Sequence, residues 1–158
     1  MKPASPKIIP MLQGLYFDET VAENQYLSHY AVAKERGIKE FAAKLKERAH
    51  DERKHKRLIG KLLARFGVAP AAFGGKCDAK IGTETDCPEM LATEGELEAT
   101  ARERYEAGIR LCVEDGDNDT REILVANLGD EVDHGVEIDQ DAGLIEDMGI
   151  DNWLSTMV

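Results

Sequence analysis

The sequence predicts an all-α fold: a four-helix bundle with one long crossover between helices 2 and 3, and a short fifth helix at the C-terminus. Three features carry that prediction. Four long segments place apolar residues at helical spacing, brief breaks follow the first and third, and a Gly- and Pro-rich stretch follows the second. Composition agrees, since 32% charged and 42% hydrophobic residues with only 6% aromatic suit helices better than a sandwich or barrel. At 158 residues the chain is expected to form one domain, 1–158, around a single sizeable core.

The first helix is read from about Pro10 to Arg36, with Leu12, Leu15, Ala22 and Tyr26 on its apolar face, and it stops at Gly37. The second runs from about Lys39 to Phe66, carrying Phe41, Leu45, Ile59, Leu62 and Phe66, before Gly67 and Pro70 end it. Residues 67–87, GVAPAAFGGKCDAKIGTETDC, lack periodicity and are too long for an ordinary bundle connection. The third helix begins near Pro88, a good first-turn residue, and reaches about Val113, where EDGDN breaks the chain. The fourth spans about Thr120 to Met148 with Ile123, Leu124, Leu128, Ile138 and Ile145, and IDNWLSTMV follows Gly149 as the short fifth. A helix of about 27 residues is ~40 Å long at ~1.5 Å per residue. The stretch 67–87 reaches ~70 Å when extended at ~3.3 Å per residue, enough to return along the bundle and make helices 2 and 3 parallel.

Charge narrows the function. Acidic residues outnumber basic ones 31 to 20, and the net charge of −11 repels nucleic acid and anionic membranes while favouring cations. The N-terminal MKPASPKIIPMLQG has no apolar run of signal-peptide length, and no stretch approaches a membrane span, so the expected address is the cytoplasm. Three cysteines, Cys77 and Cys87 in the loop and Cys112 in a helix, are too widely spaced for a metal site and are read as incidental.

Chemistry concentrates in two short strings, HDERKH and DEVDH. Each holds a Glu three residues before a His: Glu52 with His55, and Glu131 with His134. Residues three apart are neighbours on one helix face. Glu52 lies at seven-residue steps from Leu45 and Ile59, and Glu131 from Leu124 and Ile138, so both pairs are expected to point into the core. Isolated charge there is costly unless paired or metal-bound. Glu19 lies between Leu12 and Tyr26, and Glu98 between Leu91 and Tyr105, again at sevens. The intervals match: Glu52 follows Glu19 by 33 positions (52 − 19) and Glu131 follows Glu98 by 33 (131 − 98), with 79 between equivalent residues (98 − 19). Two equivalent hairpins would thus gather Glu19, Glu52, His55, Glu98, Glu131 and His134 at mid-bundle. Four carboxylates and two imidazoles suit a pair of divalent iron ions, and one Glu from each of two helices with Glu-x-x-His from each of the others is the known arrangement of di-iron carboxylate bundles.

These residues give the chain a resemblance to bacterioferritin-type ferritins over nearly its whole length. DETVAENQY (18–26) is similar to the family's first-helix segment with its ligand Glu and its Tyr, HDERKH to the second, IGTETDCPEML to the entry of helix 3, DEVDH to the fourth and MGIDNWL to the entry of the last helix. The resemblance implies a ferritin-like bundle with a centre of two iron ions per subunit. It further implies oxidation of Fe(II) by oxygen or hydrogen peroxide, and a homo-oligomer, a hollow 24-subunit shell, that stores ferric mineral. By the same resemblance Glu52 and Glu131 bridge the ions, Glu19, Glu98, His55 and His134 are terminal ligands, and Tyr26 takes part in oxygen reduction.

Two departures stand out. Bacterioferritins hold haem through a Met directly after the bridging Glu of helix 2. Here that position is Arg53, always charged and without a soft thioether, so haem is not expected. Glu23 and Arg102 each follow a terminal Glu by four, where the family has small or apolar residues. An ion pair between them is the ordinary reading, and an extra iron ligand at Glu23 the functional one. Tyr105, equivalent to Tyr26, reads as packing or as a hydroxyl that holds a carboxylate. Asp51 and Glu47 are expected to face away from the core, while His29 and His50 lack a ligand partner at helical spacing. A small-oligomer di-iron peroxidase of the rubrerythrin kind, and a non-catalytic metal-binding bundle, remain alternatives. Zinc or manganese would also fit the ligands.

Overall fold

A computed structural model describes residues 6–70 and 86–158. It contains α1 (Ile8–Glu35), α2 (Lys39–Arg65), α3 (Cys87–Asp115), α4 (Asn118–Met148) and α5 (Ile150–Thr156), and no strand occurs among the described residues. None of these helices is long and apolar enough to cross a membrane.

The punctuation read from the sequence sets the ends. Gly37 adopts φ 76°, a left-handed conformation that side chains resist, and its N–H together with that of Ile38 closes the last turn of α1 onto Lys34 and Ala33. Asp117 caps α4 by accepting from the Thr120 N–H at 3.1 Å. Pro88 lies in the first turn of α3. Cys87 opens that helix rather than ending a loop, a one-residue correction, and α4 begins at Asn118, two residues earlier than the periodicity suggests. Cys77 and most of the crossover 67–87 lie outside the described residues.

Cross-helix partners establish the topology. Along α1 and α3, His29 meets Glu94, Tyr26 meets Glu98, and Tyr105 meets Glu19, so these helices are antiparallel. Along α2 and α4 the pairs Lys44–Asp141, Lys54–Asp130 and Arg65–Asp119 show the same sense. With α1 and α2 joined by a tight turn, α2 and α3 must be parallel. Accordingly α2 ends where α1 begins, whereas Cys87 starts α3 at the opposite end beside Arg36.

Apolar packing divides into two clusters. One holds Tyr26, Phe41, Leu45, Met90 and Trp153; the other holds Ile8, Leu12, Ile59, Leu63, Tyr105 and Leu124. The short α5 closes the first, with Trp153 edge-on to Phe41 at 5.3 Å between ring centroids. Between the clusters lies a layer of buried charge.

Candidate metal centre

Glu19, Glu52, Glu98, Glu131, His55 and His134 are all buried in that layer. Their ligand atoms form two groups, Glu19–Glu52–His55–Glu131 and Glu52–Glu98–Glu131–His134, each with its atoms within 4.8 Å of one another. Glu52 and Glu131 belong to both. The packing of α1 and α3 against α2 and α4 therefore produces two overlapping candidate sites with shared carboxylates between them.

Each imidazole aims Nδ1 at the acids. His55 Nδ1 lies 3.0 Å from Glu131, 3.1 Å from Glu52 and 3.5 Å from Glu19. His134 Nδ1 lies 3.4 Å from Glu52, 3.6 Å from Glu98 and 3.7 Å from Glu131. Behind His55, Nε2 hydrogen-bonds Asp130 at 2.9 Å; behind His134, Nε2 faces Asp51 at 3.5 Å. An outer carboxylate that orients an imidazole while the other nitrogen points inward is the arrangement that prepares a histidine to bind metal.

Hydrogen bonding within the cluster is incomplete. Glu52 Oε1, Glu98 Oε2, Glu131 Oε1 and His134 Nδ1 are buried without an aligned hydrogen-bond partner. Native interiors rarely tolerate that, because each such group forfeits its solvation. A cation at each group of ligands would satisfy all four.

Burial also displaces the protons. It pushes the Glu19 carboxyl up to about 8, against the His55 hydrogen bond and with help from the Glu52 charge. It pushes Glu98 up to about 7, against His134 and with help from Glu131. Burial raises Glu131 as well, but hydrogen bonds from His134 and His55 outweigh it and hold this carboxyl below its ordinary value. For His134, burial opposes protonation, yet the surrounding Glu131, Glu52 and Glu98 win and push it up to about 12; His55 shifts the same way. Divalent ions replace such protons when they bind.

Two tyrosines brace Glu98 and Glu19 across the bundle. Tyr26 on α1 donates to Glu98 on α3, and Tyr105 on α3 donates to Glu19 on α1. Burial and the neighbouring negative charge raise both phenols well above 10, so they remain neutral donors. Asn127 Nδ2 in turn donates to the Tyr105 oxygen at 3.1 Å.

Several placements differ from the sequence reading. Glu23 does not pair with Arg102: it accepts from Arg53 Nε at 2.7 Å and from Lys56, both on α2. Arg102 stretches past Gly135 on α4 instead, its guanidinium carbon 3.6 Å from where a Cβ would stand. Position 23 faces the neighbouring helix, not its duplicate, because duplicated residues share a face but not a partner. Asp51 is half-buried and faces His134, whereas Glu47 is exposed. His29 is buried and pairs with Glu94 at 2.8 Å and Gln25 at 2.8 Å, while Arg48 reaches the other oxygen of Glu94 at 2.9 Å. Asp130 carried a visible signal, since it stands 79 positions after Asp51 (130 − 51). The Arg48–Glu94–His29 network carried none, because its members come from three helices.

Residues 11–148 match the model of the ferritin-like domain. The chain belongs to the ferritin-like family. Among similar ferritins, a bacterial ferritin of Pseudomonas aeruginosa is 31% identical over 154 residues, covering 97% of each chain. A bacterial ferritin of Neisseria meningitidis serogroup B is 27% identical over 152 residues, 96% of each. A bacterioferritin of Streptomyces coelicolor is 24% identical over 153 residues, 97% of this chain and 90% of that one. These relatives support a bacterioferritin-type member of the ferritin-like family.

Proposed function

We propose that this ferritin-like chain stores and detoxifies iron, oxidising Fe(II) within each subunit and depositing the ferric product inside a hollow 24-subunit shell in the cytoplasm. The observation that carries the proposal is the pair of overlapping ligand groups sharing Glu52 and Glu131. Two Fe(II) ions bind as substrate, one held by Glu19 and His55, the other by Glu98 and His134, with Glu52 and Glu131 bridging. Four carboxylates offset the four positive charges of the two ions. Carboxylate oxygen and imidazole nitrogen remain good ligands after oxidation, when the harder Fe(III) forms.

Oxidation of two Fe(II) releases two electrons. Dioxygen takes them with two protons to give hydrogen peroxide, or hydrogen peroxide takes them with two protons to give two waters. The protein positions the ions and holds their ligands at a fixed separation. Tyr26 and Tyr105 keep the two terminal carboxylates aimed inward. Names of the relatives, bacterial ferritin and bacterioferritin, support the storage reading.

Haem does not fit at the position after Glu52. Arg53 stands there, its guanidinium tied to Glu23, and Lys56 is tied to the same carboxylate. No thioether is offered, and displacing Arg53 would break a two-cation bridge between α1 and α2.

Anaerobic titration with Co(II) is expected to saturate at two ions per chain. Aerobic Fe(II) addition is expected to raise near-ultraviolet absorbance faster than buffer does, and Glu52→Ala is expected to abolish the acceleration. Sedimentation is expected to report a closed shell of 24 copies. A dimer would remove the storage function, and an unaccelerated reaction would remove the enzyme.

A further inference from the structure

The centre opens toward two faces of the bundle, and the two openings differ in chemistry. Between α2 and α4 lies a pocket of about 160 Å³ lined by Glu47, Asp51, Asp130, Asp133, Glu137 and His134, with Lys44 and Arg48 among them. Between α1 and α3 lies a pocket of about 250 Å³ whose floor is the carboxylates Glu19, Glu52, Glu98 and Glu131. Most of its wall surface is apolar, from Phe17, Val21, Ala22, Leu97 and Ala101, with the Thr93 and Thr100 hydroxyls among them.

We propose that the α1–α3 pocket is the dioxygen-binding vestibule of the centre, kept open by Ala22 and Ala101 and rimmed by the Asp18–Arg104 ion pair. This rests on the ferroxidase reading, because it concerns how the second substrate reaches the ions.

Ala22 and Ala101 are equivalent positions in the two halves (101 − 22 = 79), each three residues after a terminal ligand, Glu19 or Glu98. Three residues is one helical turn, so each methyl stands over the carboxylate that precedes it. A larger side chain at either position would project into the space above the ions. Both halves keep the smallest chiral residue there, although their sequences differ at the flanking positions 21 and 100, Val and Thr.

Solvation favours dioxygen over Fe(II) along this face. A hydrated divalent cation must exchange water for protein oxygen, and between rim and floor these walls supply only the Thr93 and Thr100 hydroxyls. Dioxygen is apolar, loses nothing on leaving water, and gains dispersion contacts in a cavity of this size. The rim does not reverse the preference: Arg104 on α3 donates to Asp18 on α1, the two charges cancel, and Glu96 alone adds a net negative charge. Outside the six central residues, which both openings approach, the α2–α4 side carries five carboxylates against two cations and the α1–α3 side Asp18 and Glu96 against Arg104. The field that concentrates metal ions is therefore stronger on the α2–α4 side, and it does nothing for an uncharged gas.

Xenon provides a probe, since it occupies apolar cavities that suit dioxygen. In metal-free crystals of the assembled protein under xenon pressure, density is expected between Ala22 and Ala101. In Ala101→Leu that density is expected to vanish, with a severalfold rise in the KM for dioxygen during Fe(II) oxidation. Anaerobic Co(II) binding at two per chain is expected to survive, as is the rate with hydrogen peroxide, a polar oxidant that gains little from apolar walls. Ala22→Leu tests the same claim from the opposite wall should the first variant fold poorly. Xenon absent from the pocket of the unmodified protein, or an unchanged KM for dioxygen in both variants, overturns the proposal. Equal slowing with peroxide and dioxygen overturns the assignment to dioxygen. Failure of the unmodified protein to bind Co(II) would instead overturn the ferroxidase reading, so the two can be told apart.

Discussion

The Tyr105 hydroxyl donates to Glu19 from the opposite hairpin, so the terminal carboxylate of one half is held by a phenol of the other. Tyr26 does the same for Glu98, but without an equivalent of the Asn127 amide that backs Tyr105. At the position equivalent to Asn127, 79 residues earlier (127 − 79), stands Arg48, which turns away to Glu94. The two halves of the cluster therefore match in candidate ligands and differ in support.

That difference predicts separable phenotypes. Tyr105→Phe is expected to weaken one Co(II) site by about 10–100-fold, the range found when a partner of a metal ligand is lost. The second site should stay near its original affinity. Tyr26→Phe should weaken the other site instead. Stepwise anaerobic titration followed by Co(II) absorption resolves the two, and identical titrations for both variants would show that neither phenol positions a ligand.

Proton linkage gives a signed prediction for the metal-free protein. Glu19 and Glu98 have folded values of about 8 and about 7 against an ordinary 4.5. The folded chain thus holds more protons than the unfolded one between those limits, and its stability falls as pH rises through them. His55 and His134, raised above their ordinary 6.5, act in the same direction: their contribution is complete below that value and declines above it. Thermal unfolding of the metal-free protein is expected to shift to lower temperature from about pH 5 to about pH 8. Bound divalent metal should offset the loss. In the double variant Glu19→Gln, Glu98→Gln the slope should flatten, and an unchanged slope would locate the effect elsewhere.

The buried pair Arg48–Glu94 predicts a structural cost. Arg48 is 1% exposed and Glu94 fully buried, and one guanidinium joins α2 to α3 and, through Glu137 at 3.4 Å, to α4. Arg48→Leu alone takes the guanidinium from Glu94 Oε2, leaves this carboxyl with its His29 contact only, and is expected to cost about 3 kcal/mol in chemical denaturation. Replacing both, Arg48→Leu with Glu94→Leu, should recover most of the loss. A single variant as stable as the parent would mean that water reaches this pair.

A fourth prediction concerns the wall between the helices of the first hairpin. Glu23→Ala releases Arg53 and Lys56 together. Arg53 is well exposed, so salt screens it and its share is small. The change is expected to lower stability by less than about 1 kcal/mol and to leave Co(II) stoichiometry at two. A lost ion would instead make Glu23 a ligand.

Much of this protein was legible in its sequence, and for a definite reason. Helical periodicity assigns every residue to a face, so seven-residue steps from Leu12, Leu45, Leu91 and Leu124 were enough to turn Glu19, Glu52, Glu98 and Glu131 inward. Repetition at 79 residues then brought equivalent faces together by symmetry. What periodicity lacks is any term for the neighbouring helix. The rotation and offset of packed helices decided that Glu23 meets Arg53 and not Arg102, that Tyr105 crosses to Glu19, and that His29 finds Glu94. Long side chains widen the gap, since a guanidinium reaches any of several carboxylates until packing closes off the rest. The sequence by itself determined the helices, their inward faces and the six candidate ligands; only the tertiary structure decided which groups touch, because contact depends on distances between segments that no spacing along one chain encodes.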